Sequence, residues 1–258
     1  MNNVNKTLYI PLYGKSYVSR RGIILSDTKA EQIWAAEGFP LKGKAASKWL
    51  CFYMGMRAAV FDRWVEERLK AVPDAAVLHL GCGMDSRIHR VKNETHLWYD
   101  VDFPDVIAER RKYFAETEHY RMIGADVRNL DFSVFSGDSA IVIMEGISMY
   151  LDREQLLHLL TNLCQRFSRV ALLADCYTEF AAKASKYKNP INEVGVTEVY
   201  GLDDPMLLQS SGLSFLREHE LTPAGLIDQL QGMEKHIFKK VFAGSISKKM
   251  YRLYEYRK

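Results

Sequence analysis

From Pro73 onward the chain alternates short, almost wholly apolar runs with segments of helical periodicity, and few folds accommodate that order. Residues 76–80 predict a buried strand stopped by Gly81 and Gly83. Further strands are predicted over 96–101, 120–125, 139–144 and 169–174, with two late ones over 213–221 and 249–256. Pro104 opens a helix that should run through about residue 116, because proline is tolerated in the first turn. Asp152 with Gln155 has the form of a capping box, and the stripe Leu156, Leu157, Leu159, Leu160, Leu163 follows it. Thr222-Pro223 opens another helix, and residues 235–242 carry one more. The weakly patterned stretch 176–211 is longer than a plain connection, as functional loops or loops hiding a further helix are. The expected architecture is α/β: a Rossmann-like, doubly wound, mostly parallel seven-stranded sheet with an N-terminal helical cap. Ligands of such sheets sit beyond the carboxyl ends of the strands, where strand order reverses beside the first strand.

The whole chain reads as one domain, 1–258, with residues 1–72 as the cap and 73–258 as the core. Apolar residues at 56, 60, 61, 64, 65 and 69 mark a helix before the first strand, with Arg57 on the same inward face. A buried guanidinium needs an anion. From Arg57 to Ala71 is roughly 20 Å of helix at about 1.5 Å per residue, and the first strand is also roughly 20 Å long at about 3.3 Å per residue. A tight turn at 72–74 would therefore return Arg57 to the level of the glycine loop. There it meets either a ligand or a core carboxylate.

Composition narrows the function. A formal charge of +3 on 258 residues is too small to argue for nucleic acid or an anionic membrane surface. The basic residues near the C-terminus alternate with Tyr and Leu, as on the wet face of a strand. No apolar run approaches the roughly 18 residues of a membrane span, and the first residues have no leader-like apolar stretch. Cys51, Cys82, Cys164 and Cys176 form no metal-ligand spacing. The expectation is a cytoplasmic, reduced, metal-free protein, with its oligomeric state unread.

Chemistry concentrates at strand ends. Gly81-Cys82-Gly83 lets the backbone bend and approach a ligand, while Ser86 stands where a dinucleotide fingerprint wants a third glycine. Asp100 and Asp102 lie near the end of the second strand, where a carboxylate can accept both ribose hydroxyls, although one of them could instead cap the helix at Pro104. Asp126 follows the third strand, as an adenine acceptor or an ordinary turn residue. Glu145 ends the apolar fourth strand, and a charge carried so far into a core calls for a partner.

Together, Gly81-Cys82-Gly83-Met84-Asp85-Ser86-Arg87, Asp100-Val101-Asp102-Phe103-Pro104, Gly124-Ala125-Asp126 and Glu145-Gly146 with Met149-Tyr150-Leu151 resemble the leucine carboxyl methyltransferase family. The tetracenomycin polyketide O-methyltransferase-like branch of these class I S-adenosylmethionine-dependent enzymes is the nearest match. The resemblance implies that Arg57 binds the methionine carboxylate, Gly81 the methionine backbone, Asp102 the ribose, Asp126 and Val127 the adenine, and Glu145 the amino-acid end. It also implies that Lys15 lies near the transferred methyl, while Asp100 is a spare carboxylate. The lid segment that reads protein tails in eukaryotic members is not recognisable here, which favours a small-molecule acceptor.

A carboxylate acceptor is already ionised at neutral pH, with a pKa of about 4, whereas a phenol at about 10 needs a base or a cation such as Lys15, Arg21 or Tyr150. Tyr150 and the 176–211 stretch are expected to shape the acceptor pocket. A nicotinamide-dependent reductase is the competing enzyme reading. Its Tyr-x-x-x-Lys spacing occurs only at Tyr254-Lys258. Two further readings stay open: a protein C-terminal carboxyl methyltransferase, and a non-catalytic module that keeps the nucleoside pocket for binding alone.

Overall fold

The computed structural model describes residues 7–38, 41–93, 95–188 and 198–258. Three helices open the chain: α1 (Tyr9–Arg20), α2 (Thr28–Glu37) and α3 (Lys48–Ala71). Asp27 caps α2 by accepting the Ala30 N–H at 2.9 Å, which satisfies one of its orphan donors. Close approach of α1 to α3 depends on two glycines. A Cβ on Gly14 would lie 2.7 Å from the Met54 Cβ, and one on Gly55 would lie 2.8 Å from Val18 Cγ2.

The sheet comprises β1 (Ala76–Leu80), β2 (Trp98–Asp102), β3 (Tyr120–Gly124), β4 (Ser139–Met144), β5 (Arg169–Tyr177), β6 (Ser214–His219) and β7 (Tyr251–Arg257). Its order is β3-β2-β1-β4-β5-β7-β6. The first five strands run parallel, and β7 is antiparallel to both of its neighbours. The expected Rossmann-like architecture is therefore present, with the order reversing between β1 and β4. Strand alternation splits the core. Val77, Trp98, Ile141 and Ile143 pack with Phe61, Trp64 and Val65 of α3, while Leu78, Leu80, Val142 and Met144 pack on the opposite face. There they meet Leu156, Leu159, Leu160 and Leu163 of a helix whose capping box, Asp152 with Gln155, forms as expected.

Several expected boundaries shift. The helix from Pro104, α4, stops at Arg110 rather than near residue 116. Arg110 turns inward onto Asp100 and Tyr120, and its guanidinium lies 4.0 Å from the centroid of the buried Phe114 ring, so the chain must leave the helix to feed β3. The capped helix is α5 (Arg153–Arg166), and the long stretch after β5 holds α6 (Glu179–Lys188) and a 3-10 turn, Pro205–Ser211. Part of that stretch, 189–197, lies outside the described residues. The Thr222-Pro223 signal opens only a single turn, Ala224–Ile227, before α7 (Gly232–Val241). Among the C-terminal basic residues Arg257 and Lys258 are exposed and Arg252 is half-buried, but β7 is not an edge. It lies inside the sheet, and Glu255 is 2% exposed, held by His219 at 2.6 Å and Arg217 at 2.7 Å.

Among the described residues, no helix is long and apolar enough to cross a membrane, and no group of three His, Cys, Asp or Glu is placed to hold a metal ion.

Candidate functional site

A cavity opens over the carboxyl ends of the parallel strands and is roofed by α1. Sheet order fixes which walls are neighbours. Asp126, Val127 and Arg128 follow β3, Asp102 and Phe103 close β2, and the Gly81-Cys82-Gly83 loop follows β1. Glu145, Gly146 and Ile147 follow β4, and Tyr177 ends β5 directly opposite Tyr251 at the start of β7. Leu8, Ile10 and Lys15 come from the α1 side, and Leu50, Met54 and Arg57 from α3.

The loop after β1 holds the shape its glycines permit. Gly81 has φ +68°, in the left-handed region, and a Cβ there would lie 2.6 Å from Ile147 Cδ1. Asp102 braces this loop by accepting the Gly83 N–H at 2.7 Å while accepting the Phe103 N–H at 2.8 Å. Burial raises its pKa against those two bonds, and its side chain lines the cavity. Burial likewise pushes the Cys82 thiol up, and it lines the wall as an un-ionised group.

Asp100 does not share the cavity. It is fully buried and accepts from the Trp98 indole at 2.8 Å, the Tyr120 hydroxyl at 2.6 Å and the Arg110 guanidinium. Arg110 overrides the effect of burial and holds Asp100 at about 2. Asp100 is thus a correction to the sequence reading. It shares a face of β2 with Asp102 but lies two residues deeper, inside the covered part of the strand, and Asp102 alone stands at the mouth.

Arg57 reaches the level of the glycine loop, as helix and strand lengths required, and it also meets core carboxylates. Its Nε donates to Glu145 at 3.0 Å and its Nη1 to Asp175 at 2.8 Å. Asp175 in turn accepts the Gly146 N–H at 2.6 Å. Glu145 receives a second guanidinium from Arg87, which donates to Asp62 at 2.7 Å. Arg90 joins Asp27, Asp62 and Asp85. Lys15 lies 3.1 Å from Asp85. Burial would raise the Glu145 carboxyl, but Arg87 and Arg57 outweigh it and hold Glu145 at about 2. Asp85 is held well below the usual carboxylate range, with Arg87, Arg90 and Lys15 overriding burial. This end of the cavity is therefore a lattice of compensated charges whose members come from α1, the α2 cap, α3 and the ends of β1, β4 and β5.

Asp126 combines both of its sequence readings. Its side chain accepts the Arg128 N–H, capping a turn, and pairs with the Arg128 guanidinium at 2.5 Å, yet it lines the cavity beside Val127. At the other end, Tyr150, Tyr177 and Tyr251 join Ile10, Leu50, Met54 and Met149. Tyr177 and Tyr251 meet edge to face at 4.6 Å, and burial raises the pKa of Tyr150 and Tyr251. Sequence reasoning singled out Tyr150 and the stretch 176–211 that contains Tyr177, but not Tyr251 or Asp175. Asp175 carries the same signal as Glu145, an acid closing an apolar run. Tyr251 carried no local signal, because β7 joins β5 from a distant part of the chain.

The family model described as leucine carboxyl methyltransferase matches residues 11–164. The chain is 28% identical over 243 residues to the tetracenomycin polyketide synthesis O-methyltransferase TcmP of Streptomyces glaucescens, covering 92% of this chain and 90% of that protein. It is also 28% identical over 184 residues to the S-adenosyl-L-methionine-dependent methyltransferase dpfgK of Gibberella zeae, covering 65% and 62% of the two chains. In fold it is similar to the magnesium protoporphyrin IX methyltransferase ChlM of Synechocystis PCC 6803 with bound SAH, at a TM-score of 0.53 and 13% identity over 90% of this chain and 94% of that one.

Proposed function

The chain belongs to the leucine carboxyl methyltransferase family and is an S-adenosylmethionine-dependent methyltransferase, and from that premise we propose that it methylates a carboxylate oxygen of a small, largely apolar, ring-containing acid. The cavity suits the donor chemically. Gly81 leaves room for close backbone approach, Asp102 can accept ribose hydroxyls, Asp126 and Val127 can receive the adenine, and Arg57 with Glu145 offers both signs of charge to an amino acid's ends. Cys82 and Gly83 complete the loop, and Lys15 steadies Asp85 beneath the roof helix.

One observation carries the choice of acceptor. Each carboxylate lining the cavity is already engaged: Asp85 by Lys15, Arg87 and Arg90, Glu145 by two arginines, Asp126 by Arg128, and Asp102 by two backbone N–H groups. His79 sits between Asp100 at 3.2 Å and Arg87 at 3.4 Å. Tyrosines whose pKa values burial raises are poor proton acceptors and give a phenol no help in ionising. An acceptor that arrives ionised needs none.

Bound here, S-adenosylmethionine would supply an electrophilic methyl group: as the acceptor oxygen bonds the methyl carbon the carbon–sulfur bond breaks in line with it, giving an ester with S-adenosylhomocysteine as the leaving group. The protein's part is to orient and to exclude water. Aligning the reactants can supply about 7–11 kcal/mol. The Tyr150, Tyr177, Met54 and Met149 walls keep the reacting pair dry, which strengthens their attraction.

Incubation with methyl-labelled donor and matched sets of aromatic acids and phenols tests the assignment. Base-labile methyl esters of the acids are expected. Transfer to phenols alone, at a rate rising with pH toward about 10, would overturn it. Separate titrations with S-adenosylhomocysteine and NADH should show binding of the first alone.

A further inference from the structure

We propose that α7 and the turn after it form a docking surface for an anionic lipid bilayer. The helix has an inner and an outer apolar face. On the inner side, Phe238 packs 6.0 Å from the Phe52 ring and 6.3 Å from Tyr53, and Phe242 stacks on Trp49 at 5.2 Å. On the outer side, Met233, Ile237 and Val241 recur every four residues and are 76%, 37% and 47% exposed. A stripe at that spacing lies along one side of a helix, so these side chains form one surface that no described part of the chain covers.

Charge indicates what covers it. Residues 228–249 contain Lys235, Lys239, Lys240, Lys248 and Lys249 against only Asp228 and Glu234, so the formal excess of +3, too small to point to an anionic surface when spread over the whole chain, is concentrated in this segment and the remainder is balanced. Lys239, Lys240, Lys248 and Lys249 are exposed, whereas Glu234 is taken up by Arg21 and Lys48 and Lys235 by Asp228. An outward stripe of Met, Ile and Val with Lys240 beside it, on a segment where Lys239, Lys248 and Lys249 are also exposed, is the pattern of a helix lying in the interface of an acidic membrane, with the apolar side chains among the acyl chains and the lysines toward the headgroups. A second copy of this chain is a poorer occupant, because a two-fold contact would set the same lysines against each other.

The surface also lies near the cavity. Tyr53, under Phe238, meets Tyr251 at 5.9 Å, and Tyr251 lines the apolar end. Docking there would bring that end toward dissolved apolar molecules, though the surface stands without the acceptor assignment.

Flotation of the full chain with vesicles tests the proposal. Vesicles of phosphatidylcholine with phosphatidylglycerol should capture the chain about tenfold better than phosphatidylcholine alone, with capture falling in high salt. The Met233→Ser, Ile237→Ser, Val241→Ser triple variant and the Lys239→Gln, Lys240→Gln double variant should each lose most of that gain. Both should keep S-adenosylhomocysteine binding and the parent circular dichroism, since the altered side chains are exposed. The proposal is overturned if acidic vesicles capture nothing, or if the serine variant is captured as well as the parent. It is also overturned if light scattering finds a dimer that only the serine variant dissociates.

Discussion

Beside β1, β2 and β4 the cavity wall is backbone and paired charge, with Gly81 pressed under Ile147, Asp102 on two N–H groups and Glu145 between two guanidiniums. Beside β5 and β7 it is rings and thioethers, with Tyr177 against Tyr251 and both Met54 and Met149 in the wall. The two kinds of wall respond to change differently. A buried ion cannot move or vanish without stranding its partner, whereas an apolar wall tolerates swaps that conserve volume. A fold built this way can hold one donor constant while its acceptor pocket diverges.

The largest expected break in that contrast comes from Arg57→Ala, which strands Glu145 and Asp175 in the core. Chemical denaturation should show a loss of about 3–5 kcal/mol in unfolding free energy, and undiminished stability would mean the charged lattice is dispensable. Next, Asp102→Ala should weaken S-adenosylhomocysteine binding by about 1.5–3 kcal/mol by calorimetry, the range for charge-assisted hydrogen bonds. Equal affinity would move the ribose site elsewhere. At the apolar end, Tyr150→Phe should raise the acceptor KM by the equivalent of about 0.5–1.5 kcal/mol and leave S-adenosylhomocysteine affinity alone. If Tyr150→Ala changed neither acceptor KM nor turnover, Tyr150 would have no place in the pocket.

The smallest effect is on acid stability. Glu145 is held at about 2 in the fold, below its ordinary 4.5, so the stability it contributes is complete above that ordinary value and is lost as pH falls toward 2. Glu145→Gln should flatten the decline of unfolding temperature between those limits, while Tyr150→Phe should leave it unchanged.

The same division explains what could be read in advance. The apolar runs of β1 and β4 and the glycines after β1 act through local backbone geometry, so their neighbourhood in sequence is their neighbourhood in space. Arg57 needed one further step, the matching of helix and strand lengths, and of its two candidate partners the core carboxylate is the one the fold supplies, while the guanidinium also lines the cavity. Asp100 and Asp102 could not be separated without knowing how far the neighbouring elements cover β2, since residues two apart share a face and only the second reaches past that cover. The short α4 was hidden because the inward pull of Arg110 on Asp100 is a tertiary contact. Tyr251 was invisible for the same reason: its place in the cavity is made by pairing with β5 rather than by anything adjacent to it.

That late pairing has a consequence for how the protein is made. Within the sheet β6 bonds to β7 alone, and β7 also separates it from β5. As the nascent chain leaves the ribosome, β6 emerges with nothing to bond to, and residues 220–250 must be synthesised before its partner appears. Through that interval the strand offers open N–H and C=O groups to any other edge it meets. Crowded, rapid expression should therefore favour aggregation of half-finished chains, and slowing elongation after β6 would prolong the hazard.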